Sequence, residues 1–329
     1  MVFLAKYPFI PEYYQKIIIK QFQGLYNRGI ELSTEAVEKI DVDISPNRML
    51  QFAFMVVFQL AFGFTRGGTF SLLDSEKSGR VKEYISQLDS TYPGQSTAIL
   101  RMGEVLDVFE GELMSLAGDF QDEFYCYVGD RARERFKKEY GASRSAMTAP
   151  PGVFVGFIRP SALFPDLNAR ERGVLIPFFN AKVYHRAKRI SSTAELVGEL
   201  KTPSLRGDTP IFPLAAKFGF FGGTPGKNEF YAKFRGLESR APEWNDLVNK
   251  KLAQSGLLDL TIISVDGTNI PVDKRDTTGS VGTGSRGTFF GHKSSIACDG
   301  NCIPINQVLD TGRASDLSLF ADTLKPVKE

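Results

Sequence analysis

Leu258-Asp-Leu-Thr-Ile-Ile-Ser-Val-Asp-Gly-Thr268 is the stretch on which the reading of this chain turns. Leu258 to Val265 is an apolar, β-branched run interrupted only by Asp259, a pattern that suits a strand covered on both faces. Asp266 then stands at the expected end of that strand. A carboxylate leaving a buried strand is costly unless it is paired, binds a cation, or belongs to an Asp-Gly turn that returns it to water. Beyond it a polar, Gly-rich loop is expected over Asp273 to Gly287, then two β-like runs, Thr288–Cys298 and Cys302–Leu309. Asp299-Gly300-Asn301 joins them as a hairpin signal, and Ser315 is a good N-cap for a helix through Leu317, Leu319 and Phe320. The expected order is therefore strand, strand, strand, helix.

Upstream the periodicity is helical. Tyr13, Ile17, Ile18, Phe22 and Leu25 recur at helical spacing after Pro11, with Gly29 as the expected stop and Ser33-Thr34-Glu35 as the start of a short helix. Ser45-Pro46 opens a helix whose stretch Met49–Phe64 is without charge but shorter than the roughly 20 residues of a membrane span, so it reads as a buried core helix and no membrane partner is expected. Val81–Leu88 reads as a helix, as does Ser96–Tyr140, in which Gly103, Gly111 and Gly118 are candidate breaks. A linker is expected over Gly141–Gly152, and Val153–Ile158 and Val174–Phe179 read as β-like. Ser192 caps a helix over Ala194–Leu200 with Glu195 three residues on, and Trp244–Leu252 reads as helical.

The net charge of +2 hides an uneven distribution: residues 1–124 carry 11 Lys/Arg against 17 Asp/Glu, and residues 125–189 carry 13 against 5. The basic middle nominates two clusters for DNA-backbone contact: Arg131, Arg133, Arg135, Lys137 and Lys138, and Arg186, Lys188 and Arg189. Three Cys suit a reducing cytosol rather than a disulfide framework, and two His exclude a His-rich metal site, so hydrolytic chemistry would lean on carboxylates. Gly282-Thr-Gly-Ser-Arg-Gly287 matches G-x-G-x-x-G but lacks the flanking strand and helix of a dinucleotide site, and Cys298 and Cys302 lack further zinc ligands nearby.

Four stretches resemble the DDE transposases of bacterial and archaeal insertion sequences. Thr261–Asn269 is similar to the block holding that family's first catalytic Asp, and Gly291–Gly300 to its glycine-aromatic-lysine strand and hairpin. Val308–Leu319 contains Ala314-Ser-Asp316, and Ser191–Arg206 with Phe218-Gly-Phe220 and Pro225–Leu237 resembles the helical segment before the catalytic core. The resemblance covers about residues 190–329 and implies a ribonuclease-H-like domain, DNA strand cleavage and transfer, and two Mg²⁺ ions held by carboxylates, with Asp266 as the first metal ligand. It also implies an incomplete site, since the second Asp and the Glu of such a centre have no match before Glu329. DNA at element ends is the implied partner, with a homo-oligomer or a complementing C-terminal fragment beside it. Arg275, Arg286 and Lys293 are then candidates for phosphate contact.

The expected fold is α+β or α/β. It comprises a mainly helical region over 1–140, a basic linker and β region over 141–190, a helical region over 191–257 and a truncated ribonuclease-H-like part over 258–329. The alternative function is a non-catalytic DNA-binding protein, or a transposase relic, that occupies element ends.

Overall fold

The computed structural model describes residues 10–40, 42–140, 151–156, 158–188, 190–204, 212–240, 244, 247, 262–273, 277–284, 287–298, 300 and 304–325. The chain divides into two compact units, Met1–Ser239 and Arg240–Glu329. Among the described residues the fold is mostly helical, with a four-stranded antiparallel sheet and a two-stranded one. The expected linker through residue 150 and most of the helix expected over Trp244–Leu252 lie outside the described residues.

The first unit contains helices α1 (Glu12–Gly24), α2 (Tyr26–Ile40), α3 (Pro46–Phe62), α4 (Arg66–Asp74), α5 (Gly79–Leu88), α6 (Gln95–Val108) and α7 (Glu110–Tyr140). A short α8 (Pro160–Leu163), α9 (Ala169–Ala187), α10 (Thr193–Lys201) and α11 (Lys227–Glu238) follow, and two-residue strands β1 (Pro203–Ser204) and β2 (Phe212–Pro213) pair with each other. The α3 helix is the centre of the packing. Ser45 accepts from the Arg48 amide at its start, Gly63 closes it in the left-handed region at φ 68°, and every residue from Met49 to Phe62 is buried. At about 1.5–3 kcal/mol per large apolar side chain, that burial is the main reason α3 is a core helix. A Cβ on Gly63 would meet Val174 Cγ2 at 2.5 Å, so this glycine both ends α3 and lets α9 approach. Among the described residues, no single helix is long and apolar enough to cross a membrane.

Several local expectations are overturned here. Gly29 does not stop a helix but lies inside α2, where a Cβ would meet Leu50 Cδ1 at 2.7 Å; close packing on α3 is its role. The segment Ser33-Thr34-Glu35 is likewise inside α2, and Ser33 Oγ donates to the Gly29 carbonyl. The long helix does break, at Phe109 and at none of its three glycines. Val174–Phe179 is not a strand but the middle of α9, where Ile176, Phe178 and Phe179 are all buried. A continuous apolar run does not distinguish a covered strand from a helix packed on several sides, and here the packing selects the helix despite Pro177. Val153 belongs to a 3₁₀ turn, Pro151–Phe154, rather than to a strand.

The second unit holds β3 (Ser264–Pro271), β4 (Ser280–Gly284), β5 (Gly287–Cys298), β6 (Pro304–Thr311) and α12 (Asp316–Leu324). β5 carries all the pairing and is antiparallel to β3, β4 and β6. The β5–β6 pairing and the Ser315 cap of α12 match the sequence reading. The stretch read as a loop over Asp273–Gly287 differs, since β4 forms inside it. The G-x-G-x-x-G segment joins β4 to β5 and opens no helix.

Candidate functional site

The register of the second unit sorts its polar side chains onto two faces, because residues opposite one another in a ladder share a face. Asn269, Lys293 and Asp310 form one row across β3, β5 and β6, and Gly267, Ser295 and Val308 form the next. α12 covers this face, with Asn306 Nδ2 donating to the Thr323 carbonyl at 2.9 Å. Between sheet and helix lies a cleft of about 330 Å³ lined by Asn269, Lys293, Ser295, Asp316, Leu319 and Phe320, among others. Lys293 Nζ donates to Asp316 Oδ1 at 2.9 Å and its side chain is only 11% exposed. The expectation that Lys293 reaches out to a phosphate is therefore corrected: α12 supplies a carboxylate that occupies its ammonium group.

Asp266 lies on the opposite face. It stands opposite Ile296, which in turn stands opposite Gln307. It does not end a buried strand; it sits inside β3, in an exposed stretch where only Val265 and Asn269 are partly covered. The Asp-Gly pair makes no turn either, since Gly267 continues the ladder opposite Ser295. Asp266 itself is exposed, whereas Ser294 on the same face is buried. No group of three or more His, Cys, Asp or Glu suited to a metal ion occurs among the described residues. On β3, β5 and β6 no other carboxylate shares the Asp266 face, since Asp310 belongs to the α12 side. The described side chains gather no carboxylate set around Asp266.

The basic segment of the first unit divides by what each cation touches. Arg133 is structural: its guanidinium donates to the carbonyls of Val153, Val155 and Gly156 at 2.9–3.1 Å and to Asp130 at 2.9 Å. It pins the Pro151–Gly156 segment onto α7, so its nomination for DNA contact is corrected. Arg135 pairs with Glu139 at 2.7 Å. Lys138 is exposed, and Lys137 and Arg186 are helical residues whose side chains are outside the described set. Lys188 lies 5.9 Å from the Tyr184 ring, and burial lowers its pKa against the pull of Glu199. The Tyr184 phenol is pushed up to about 12 by burial and by Glu199. Arg189, Arg275 and Arg286 lie outside the described residues. Arg131 is exposed and leans on Tyr127, its Nη1 3.3 Å from the phenol oxygen.

Comparison with known family models, curated proteins and solved structures finds no match.

Two further features were not read from the sequence. A depression of about 590 Å³ in the first unit is lined by Lys182, His185, Ser191, Tyr231 and Glu238, among others. Its cation is spent, because Lys182 pairs with Glu238 and lies 4.6 Å from the Phe234 ring. The other feature is an exposed group on α1 and α7, in which Lys20 Nζ stands 4.9 Å from the Tyr127 ring and Tyr13 is 47% exposed. The Tyr127-x-x-x-Arg131 spacing was a usable signal for half of it. Its other half comes from α1, so only packing assembles it.

Proposed function

We propose that this chain is a transposase-like DNA-binding protein whose second unit corresponds to the opening strands of a ribonuclease-H-like domain. The observation that carries the reading is the arrangement of β3, β5 and β6: three antiparallel strands with the middle one of the three central, followed by a helix on one face, and Asp266 on the first strand. That order accords with the resemblance of residues 190–329 to DDE transposases. β4, inserted between the first two strands, is an addition to the simple pattern. Mg²⁺ chemistry is assigned no step, because the described carboxylates do not converge on Asp266.

The same lack of converging carboxylates favours a second reading, in which the protein occupies DNA ends without cutting them. Both readings need DNA affinity. The test is fluorescence anisotropy of a labelled duplex with the purified chain across a salt series. Binding whose logarithm falls linearly with the logarithm of salt supports both readings, and the absence of binding at low salt overturns both. Incubating plasmid DNA with Mg²⁺ or Mn²⁺ then separates them. Nicking that Asp266→Ala abolishes, with binding retained, supports the transposase reading; binding without nicking supports the second.

A further inference from the structure

We propose that Tyr13 and Tyr127, flanked by Lys20 and Arg131, form a stacking platform for single-stranded DNA on the α1–α7 face of the first unit. This deepens the DNA-binding reading above, on which it rests, by naming a strand form and the residues that hold it.

Three observations carry the platform. First, the Tyr13 ring is placed where core packing does not need it. Tyr14, the neighbour of Tyr13, is buried and donates its phenol to the Lys217 carbonyl at 2.8 Å, whereas Tyr13 on the next helical face is turned to solvent. Tyr13 and Lys20, seven residues apart on α1, lie on one face of that helix, the face from which Lys20 reaches the Tyr127 ring. Second, both cations sit on the Tyr127 ring. Lys20 Nζ is 4.9 Å and Arg131 Cζ 5.7 Å from the centroid of Tyr127. Third, both are free of carboxylates among the described residues. Several other exposed cations of the unit are paired, Arg28 with Asp119 at 2.6 Å, Lys39 with Glu35 at 2.6 Å and Lys82 with Asp74 at 2.7 Å. Glu12, the acid nearest this face on α1, is taken by Arg80 at 2.6 Å, and Lys16 is 4.0 Å from it. Glu123 and Glu134, exposed one turn before Tyr127 and three residues after Arg131, bound the platform along α7.

The chemistry selects single strands. A duplex offers Lys20 and Arg131 its phosphates but keeps its base faces stacked on one another. An unpaired strand offers both, and aromatic stacking is tolerant of sequence because every base has a π-face.

The test uses the full chain and fluorescein-labelled oligo-dT of about 12 nucleotides, inside the usual range of single-strand sites, beside a duplex of the same length. Tyr13→Ala is expected to weaken oligo-dT binding by about 5-fold or more and to leave duplex binding within about 2-fold, while Tyr13→Phe keeps the affinity. Lys20→Gln is expected to lower the salt slope by about one. Tyr13 is exposed enough that its replacement leaves the fold intact, so the proposal stands testable even where Tyr127→Leu does not fold. Unchanged oligo-dT binding by Tyr13→Ala, or equal loss on single strand and duplex, overturns the platform. Wild-type protein that binds duplex but no oligo-dT overturns the platform and leaves the transposase-like reading standing. Ring-dependent oligo-dT binding without duplex binding supports the platform and counts against that reading, and binding to neither overturns both.

Discussion

In Met1–Ser239 the rings face one another: Phe22, Phe54, Phe62, Phe120, Phe124 and Phe221 form a chain of contacts with centroids 4.6–6.3 Å apart. In Arg240–Glu329 the apolar side chains look outward. Leu317 is 80% and Phe320 45% exposed, and Ile270, Val281 and Leu309 join them, while Ala297 and Leu319 are the buried apolar residues of its sheet and helix among the described positions. The two units have similar kinds of residue in different settings. The first unit closes its elements around α3, so packing dominates. The second presents β5 as a hub whose hydrogen bonds hold three strands, with α12 on one face among the described elements. That difference also separates their polar groups: cations of the first unit are locked to backbone or left on the surface, whereas the second buries its one described sheet lysine, Lys293, under a helix start.

The largest expected effect tests the packing side. Phe62 touches Phe58, Phe64, Phe120, Phe124, Tyr125 and Phe221, and Phe62→Ala is expected to cost about 3–5 kcal/mol by urea denaturation. Leu309→Ala, at an exposed sheet position, is expected to stay within about 0.5 kcal/mol of wild type. Equal costs at the two sites would break the comparison. Next, Arg133→Gln removes the guanidinium from three carbonyls and is expected to cost about 2 kcal/mol while leaving duplex affinity unchanged; a loss of affinity with unchanged stability would return Arg133 to the DNA-contact residues. Smaller again is Lys293→Met. Its Asp316 partner is 89% exposed, so solvent screens the pair, and the expected cost is about 1 kcal/mol or less, read as proteolytic sensitivity of α12.

The smallest effect is pH-dependent. Hydrogen bonds from the Ser191 hydroxyl and amide hold the Glu195 carboxyl below the usual carboxylate range at the start of α10. A depressed folded-state pKa means the stabilisation is present above the unfolded value, about 4.3, and is lost as pH falls through the folded one. Glu195→Ala is therefore expected to lower the melting temperature slightly at pH 7, with the two curves converging as pH falls below the depressed folded-state value.

Local chemistry made parts of the molecule legible. Ser45-Pro46 before a charge-free run sufficed for α3, and Ser192 with Glu195 for α10, because a cap and its helix are neighbours in sequence. Val174–Phe179 was misread because an apolar run carries no period when every side is covered. Of the strand read over Leu258–Val265, residues 258–261 lie outside the described residues, Ile262 and Ile263 precede the strand, and β3 runs from Ser264 to Pro271. For the site, the chain supplied Asp266 and Lys293 as residues worth watching, and nothing local in it could say that they lie on opposite faces.

The capped helix starts at Ser45, Ser192 and Ser315 and the β5–β6 pairing were determined by the sequence itself, since each depends on residues within a few positions of one another. Tertiary structure alone decided that Arg133 spends its charge on a distant loop's carbonyls, that Asp316 captures Lys293, and that Lys20 meets the Tyr127 ring. The physical reason is that a side chain's charge and hydrogen bonds act over a few ångströms of space, and residues far apart in the chain come within that range only after folding.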